Sequence, residues 1–75
     1  MEDTLLRLRE KARRLPLEPG VYIMHDKQGK IIYIGKAKAL KNRVSQYFGA
    51  GSGHTDKVRQ MVSRVEDFEY IVTDS

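Results

Sequence analysis

Apolar residues recur along the chain with two distinct periods. Leu5, Leu8, Ala12 and Leu15 fall at helical spacing, so the first element is predicted to be an amphipathic helix, with Asp3 or Thr4 as N-cap, Pro16 as its stop, and the role of a lid. Pro19-Gly20 then introduces Val21-Tyr22-Ile23-Met24, and a second β-branched and aromatic run, Ile31-Ile32-Tyr33-Ile34, follows Asp26-Lys27-Gln28-Gly29. Two such runs joined by a short polar turn predict a hairpin. Helical spacing returns with Leu40, Val44, Tyr47 and Phe48, predicting a helix from about Ala37 to Phe48 that ends at the glycine-rich residues 49–53, a flexible loop. Thr55 is a suitable N-cap for a third helix whose inner face is Val58, Met61, Val62 and Val65. Phe68, Tyr70 and Val72 alternate with Glu69, Ile71 and Thr73, the period of a strand. The predicted class is α/β in the α+β sense: one domain over residues 1–75, a three-stranded antiparallel sheet flanked by helices. A terminal strand with no closing element suggests a fragment of a larger protein, with a further helix to follow.

The hairpin loop fixes which side chains share a face, because a slip of one residue turns the whole strand over. With a four-residue loop, His25 pairs with Lys30, Tyr22 lies opposite Tyr33, and both phenols share a face. With a three-residue loop and a bulge, Tyr33 faces Ile23 and the two tyrosines point apart. The first register is preferred on functional grounds.

The chain's 75 residues carry a formal net charge of +4, and its distribution says more than its total. Residues 1–26 hold five basic and five acidic side chains, and residues 56–75 hold three and five. Between them stand Lys27, Lys30, Lys36, Lys38, Lys41 and Arg43 with no acid at all. Such a segment attracts polyanions, the alternative being a solvated basic face. There is no cysteine, which removes disulfides and thiolate zinc sites and is compatible with the cytoplasm. Charges interrupt the leucines of the first 14 residues, so no signal peptide is expected there.

Several chemistries are excluded. Gly35-Lys36 lacks the earlier glycine and the following Ser or Thr of a phosphate-binding loop. His25 and His54 are far apart with no ligand spacing, so each is expected to be a surface residue rather than a metal ligand. What remains is Gly20-Val21-Tyr22 opening one strand, Tyr33-Ile34-Gly35 closing the next, Lys36 immediately after, and Arg43 on the following helix. This pairing resembles the signature of the GIY-YIG nuclease superfamily. The flanking Leu15-Pro16, Lys36-Ala37-Lys38, Leu40-Lys41-Asn42-Arg43-Val44 and Phe68-Glu69-Tyr70-Ile71-Val72-Thr73 are similar to the N-terminal domains of the UvrC family.

The resemblance implies metal-dependent hydrolysis of a DNA phosphodiester, which needs a base for water, cations for the developing charge and a metal at the leaving oxygen. Tyr33 or Tyr22 is the candidate base. A free phenol near pKa ~10 is about three units from neutrality and needs roughly 4 kcal/mol of help, so activity is expected to rise with pH. Lys36 is placed to favour the Tyr33 phenolate, and Arg43 is implied to bind the scissile phosphate. Tyr47 resembles a further tyrosine of these active sites, with core-edge packing as its alternative. Gly35 is expected to let the phosphate approach the strand end, and Lys38 and Lys41 to hold the DNA backbone. The resemblance implies a single Mg2+ or Mn2+ ion whose glutamate ligand falls beyond Ser75, so the 75-residue piece is expected to be inactive. It further implies the 3′ incision near a lesion within the UvrABC excision-repair system, with damaged duplex DNA and UvrB as partners. Two other readings are a structure-specific or homing GIY-YIG nuclease and a non-catalytic nucleic-acid-binding module.

Overall fold

The computed structural model describes residues 2–49 and 54–74. In chain order the elements are α1 (Glu2–Arg13), β1 (Gly20–His25), β2 (Ile31–Ala37), α2 (Leu40–Phe48), α3 (Asp56–Arg64) and β3 (Asp67–Val72). The strands form one antiparallel sheet in the order β2-β1-β3, as the patterning predicts. Residues 50–53, most of the expected glycine-rich loop, lie outside the described residues.

Alternation along β1 buries Tyr22 and Met24 on one face, and the register places Phe68 opposite Met24 and Tyr70 opposite Tyr22 on that same face. Leu8, Ala12 and Leu15 of the α1 segment, Leu40, Val44 and Phe48 of α2, Val65 and Phe68 close over it as a single apolar core. Polar ties fix the helices to the sheet. The Lys11 ammonium donates to Asp67 Oδ1 at 2.8 Å and to the Phe68 carbonyl at 2.6 Å, and lies 4.7 Å from the Phe68 ring centre. Arg9 donates to the Phe48 and Gly49 carbonyls, satisfying acceptors that the end of α2 leaves open.

Three boundaries differ from expectation. Helix α1 already includes Asp3 and Thr4, so neither is its N-cap. Strand β2 continues through Gly35, Lys36 and Ala37, because Ala37 pairs with Gly20, and α2 therefore starts at Leu40 rather than near Ala37. Its N-cap, Ala39, makes no side-chain cap bond. The main chain before β1 does that work: the Leu40 amide donates to the Glu18 carbonyl at 2.9 Å and the Lys41 amide to the Pro16 carbonyl at 3.1 Å. Thr55 caps α3 as expected, its hydroxyl accepting from the Val58 amide at 3.2 Å.

The hairpin follows neither predicted register. The Asp26 amide donates to the Lys30 carbonyl, and Gly29 sits at φ 81°, so three residues form the loop. The Asp26 carboxylate accepts from the Gln28 and Lys30 amides, each at 2.9 Å. His25 then pairs with Ile31, but Met24 pairs with Tyr33. Ile32 is thus an extra residue, a bulge that reverses the alternation once. Tyr33 lies opposite Met24 instead of Tyr22 or Ile23, and Tyr22 lies opposite Gly35. The expected pairing is overturned, yet the shared face of the two phenols is kept.

Candidate active site

The bulge, the glycine opposite Tyr22 and the last turn of α2 bring three tyrosines together. The rings of Tyr22 and Tyr33 are 6.1 Å apart, those of Tyr22 and Tyr47 5.6 Å, and those of Tyr33 and Tyr47 6.2 Å. The hydroxyls of Tyr22 and Tyr47 are hydrogen-bonded at 2.9 Å. Their settings differ. Tyr22 retains 2% of its surface and Tyr33 retains 41%, so Tyr33 is the phenol that an incoming molecule meets.

Gly35 makes this packing possible. A Cβ there would overlap the Tyr22 ring and hydroxyl, so the space beside the strand holds the phenol. The missing side chain of Gly35, expected to open the strand end to a phosphate, has a use inside the fold: it admits Tyr22.

Electrostatics separate the phenols further. Burial pushes the Tyr22 hydroxyl well above the ordinary phenol range, helped by its hydrogen bond to Tyr47 and by the neighbouring phenols, while the Arg43 guanidinium pulls the other way. Tyr47 is also raised, chiefly by burial and again opposed by Arg43. Arg43 precedes Tyr47 by one helical turn and acts on both phenols. Tyr22 and Tyr47 are therefore neutral hydrogen-bonding groups at physiological pH.

Lys36 pairs with Val21, so strand alternation starts its side chain on the face opposite the tyrosines. It still lines, with Arg43 and Lys38, a cavity of about 770 Å³ at the Gly20 end of the sheet. Lys41 is not among the residues lining it. Arg43 thus acts on Tyr22 and Tyr47 and also shares this cavity with Lys36, whereas no tyrosine lines it.

His54 was set aside by its spacing, but its ring stacks on Tyr47 at 6.2 Å and 20°, and its Nε2 lies 2.9 Å from the Gln46 carbonyl. No local signal marks it, because the contact crosses the glycine-rich residues. His25 is engaged elsewhere, with Nε2 2.6 Å from Glu69 Oε2.

No carboxylate belongs to the tyrosine cluster, and among the described residues no three metal-binding side chains converge. A hard divalent cation is held by oxygen ligands in which carboxylates supply the charge. Phenols held protonated by burial are poor substitutes. The described residues do not form a cation cage.

A small antiparallel sheet with tyrosines of β1 and β2 on one face, and an arginine on the next helix, is the architecture of a GIY-YIG nuclease domain. The GIY-YIG N-terminal endonuclease domain of UvrC from Thermotoga maritima, solved bound to its catalytic divalent cation, magnesium, matches with a TM-score of 0.76 and 42% identity over 89% of this chain and 71% of that one. The family model of the UvrC-like GIY-YIG domain matches residues 18–75, and the chain belongs to that family. It is 58% identical over 71 residues to UvrABC system protein C of Lachnospira eligens and 60% identical over 68 residues to that of Caldanaerobacter subterraneus subsp. tengcongensis. These matches cover 95% and 91% of the chain but only 12% and 11% of the relatives. Among the described residues, no helix is long and apolar enough to cross a membrane.

Proposed function

We propose that this domain hydrolyses a DNA phosphodiester within a UvrABC-type excision-repair system, making the incision 3′ to a lesion in damaged duplex after UvrB has marked the site, in the cytoplasm. The observation that carries the reading is the convergence of three phenols on one face of the sheet, with a guanidinium acting on two of them. Hydrolysis asks for a base near the attacking water and for positive charge near the phosphate, and each has a candidate.

Tyr33 is assigned as the base. It is the exposed phenol, whereas Tyr22 is buried and its hydroxyl is raised beyond useful deprotonation. Tyr22 and Tyr47 then act as a fixed hydrogen-bonded pair behind Tyr33. Arg43 binds the scissile phosphate, Lys36 adds positive charge from the cavity that it shares with Arg43, and Lys38 and Lys41 contact the DNA backbone. Gly35 serves the site by admitting Tyr22. One Mg2+ or Mn2+ ion is assigned to the intact enzyme, its ligand a glutamate outside residues 1–75. Residues 1–75 alone are expected to nick DNA poorly, because their donors do not hold that ion.

The test is Tyr33→Phe in the full-length protein, assayed for nicking of a lesion-containing duplex. The expected loss is about 10²–10⁴-fold, the usual reach of general-base catalysis, with DNA affinity and melting temperature little changed because Tyr33 is an exposed residue. Wild-type nicking by the variant would remove Tyr33 as the base.

A further inference from the structure

The cavity beside the tyrosine cluster contains more than Lys36 and Arg43. Lys38, Asn42, Gln46 and Thr73 also line it, and no Asp or Glu does. A second cavity of about 770 Å³, on the Tyr47 and His54 side, is lined by Asp26 and Glu66 as well as by cations. Only the first offers a polyanion an acid-free wall. Its volume falls within the range of pockets that seat small molecules, roughly 300–1,000 Å³.

Within that wall Asn42 and Gln46 stand one helical turn apart on α2, about 6 Å along its axis. Both are exposed, and neither side-chain amide makes a hydrogen bond to the described residues. The main chain offers few donors at this helix start, because the Leu40, Lys41 and Arg43 amides already donate to Glu18, Pro16 and Ala39. Neutral donors in a cationic, acid-free cavity match the oxygens of a sugar-phosphate chain, which a nuclease acting on any sequence must hold without reading bases.

Resting on the nuclease reading above, we infer that this cavity seats the DNA strand next to the cut phosphate, with Asn42 and Gln46 donating to its sugar-phosphate oxygens. The two amides are positioning residues. They hold the strand so that the neighbouring phosphodiester meets Arg43 and Tyr33.

The experiment is steady-state nicking by the full-length protein on two lesion-containing duplexes that differ in the base pairs flanking the incision. Asn42→Ala with Gln46→Ala should raise KM by about five- to hundredfold, the combined size of two neutral hydrogen bonds, equally on both duplexes and with little change in kcat. The slope of log affinity against log salt should stay at its wild-type value, because neutral amides release no counterions. Lys38→Ala should lower that slope by about 0.9. Asn42→Asp, nearly isosteric, should raise KM further by setting a negative charge against the backbone, and it serves as the test if the double variant fails to fold. An unchanged KM in both the double variant and Asn42→Asp would overturn the inference, as would a loss confined to one flanking sequence. A loss of nicking in Tyr33→Phe with no effect at Asn42 and Gln46 refutes this inference alone. A KM effect here beside wild-type nicking by Tyr33→Phe refutes only the assignment of the base.

Discussion

The helix-covered face of the sheet carries two aromatic clusters built partly on the same elements. Toward the β3 edge Phe48 and Phe68 stack at 5.8 Å and 15°, with Met24 opposite Phe68, and all three are buried to within 1% of their surface. Toward the β2 edge Tyr22, Tyr33 and Tyr47 meet at similar distances, but every ring carries a hydroxyl and exposure rises from Tyr22 to Tyr33. Phe48 and Tyr47 are adjacent in sequence, as are their roles in space. The apolar cluster holds α2 against β1 and β3, and that rigidity places Tyr47 and Arg43 on the polar one. Stability is concentrated in the apolar cluster toward β3 and chemistry in the phenol cluster toward β2.

The widest separation between the clusters should come from Phe68→Ala. Phe68 is completely buried, stacks on Phe48 and lies under the Lys11 ammonium. Removing a core aromatic costs about 3–5 kcal/mol, a large share of what so small a domain has. Chemical denaturation should show residues 1–75 mostly unfolded or close to it. A loss under about 1 kcal/mol would mean that the apolar cluster does not carry the fold.

Gly35→Ala strikes the phenol cluster, with a smaller thermodynamic effect and a sharper functional one. The new methyl overlaps the Tyr22 ring, so the phenol must leave its place and its bond to Tyr47. Overpacking of this kind costs about 1–3 kcal/mol. The expected outcome is a folded domain with impaired nicking, read by a melting curve and a plasmid assay on the full-length protein. A variant that keeps full activity would show that Tyr22 need not lie beneath the strand.

Much of this division is legible from residue types. The strands, the α2 stripe of Leu40, Val44 and Phe48, the Thr55 cap and the paired tyrosine signatures all follow from local spacing. The bulge does not. Ile31-Ile32-Tyr33-Ile34 is apolar throughout, so nothing marks Ile32 as the residue that fails to pair, and the phenols share a face by a route that the turn alone would deny them. The start of α2 is hidden for a different reason. Ala37, Lys38 and Ala39 are good helix formers, but pairing with Gly20 draws Ala37 into β2, and the capping carbonyls come from Pro16 and Glu18 more than 20 residues earlier. The His54 stack and the cavity shared by Lys36, Asn42 and Gln46 are products of tertiary packing, and chain order carries no trace of them.

The smallest effect isolates one hydroxyl. Tyr22→Phe keeps the ring and removes only the bond to Tyr47, so near neutral pH it should cost about 1 kcal/mol. Alkali should then reverse the order. The folded state raises the Tyr22 pKa above its ordinary value of 10.0, so it favours the protonated phenol. That contribution is complete below the unfolded value and is lost as pH rises above it. Each pH unit past that point costs the wild type up to about 1.4 kcal/mol that the phenylalanine variant does not lose. Lysines titrate in the same window in both proteins, so the difference between the two melting-temperature profiles is the measurement. The profiles should converge and then cross above pH 10. Parallel profiles would show that the Tyr22 hydroxyl ionises as freely in the fold as in the unfolded chain, and the buried, neutral half of the phenol cluster would lose its basis.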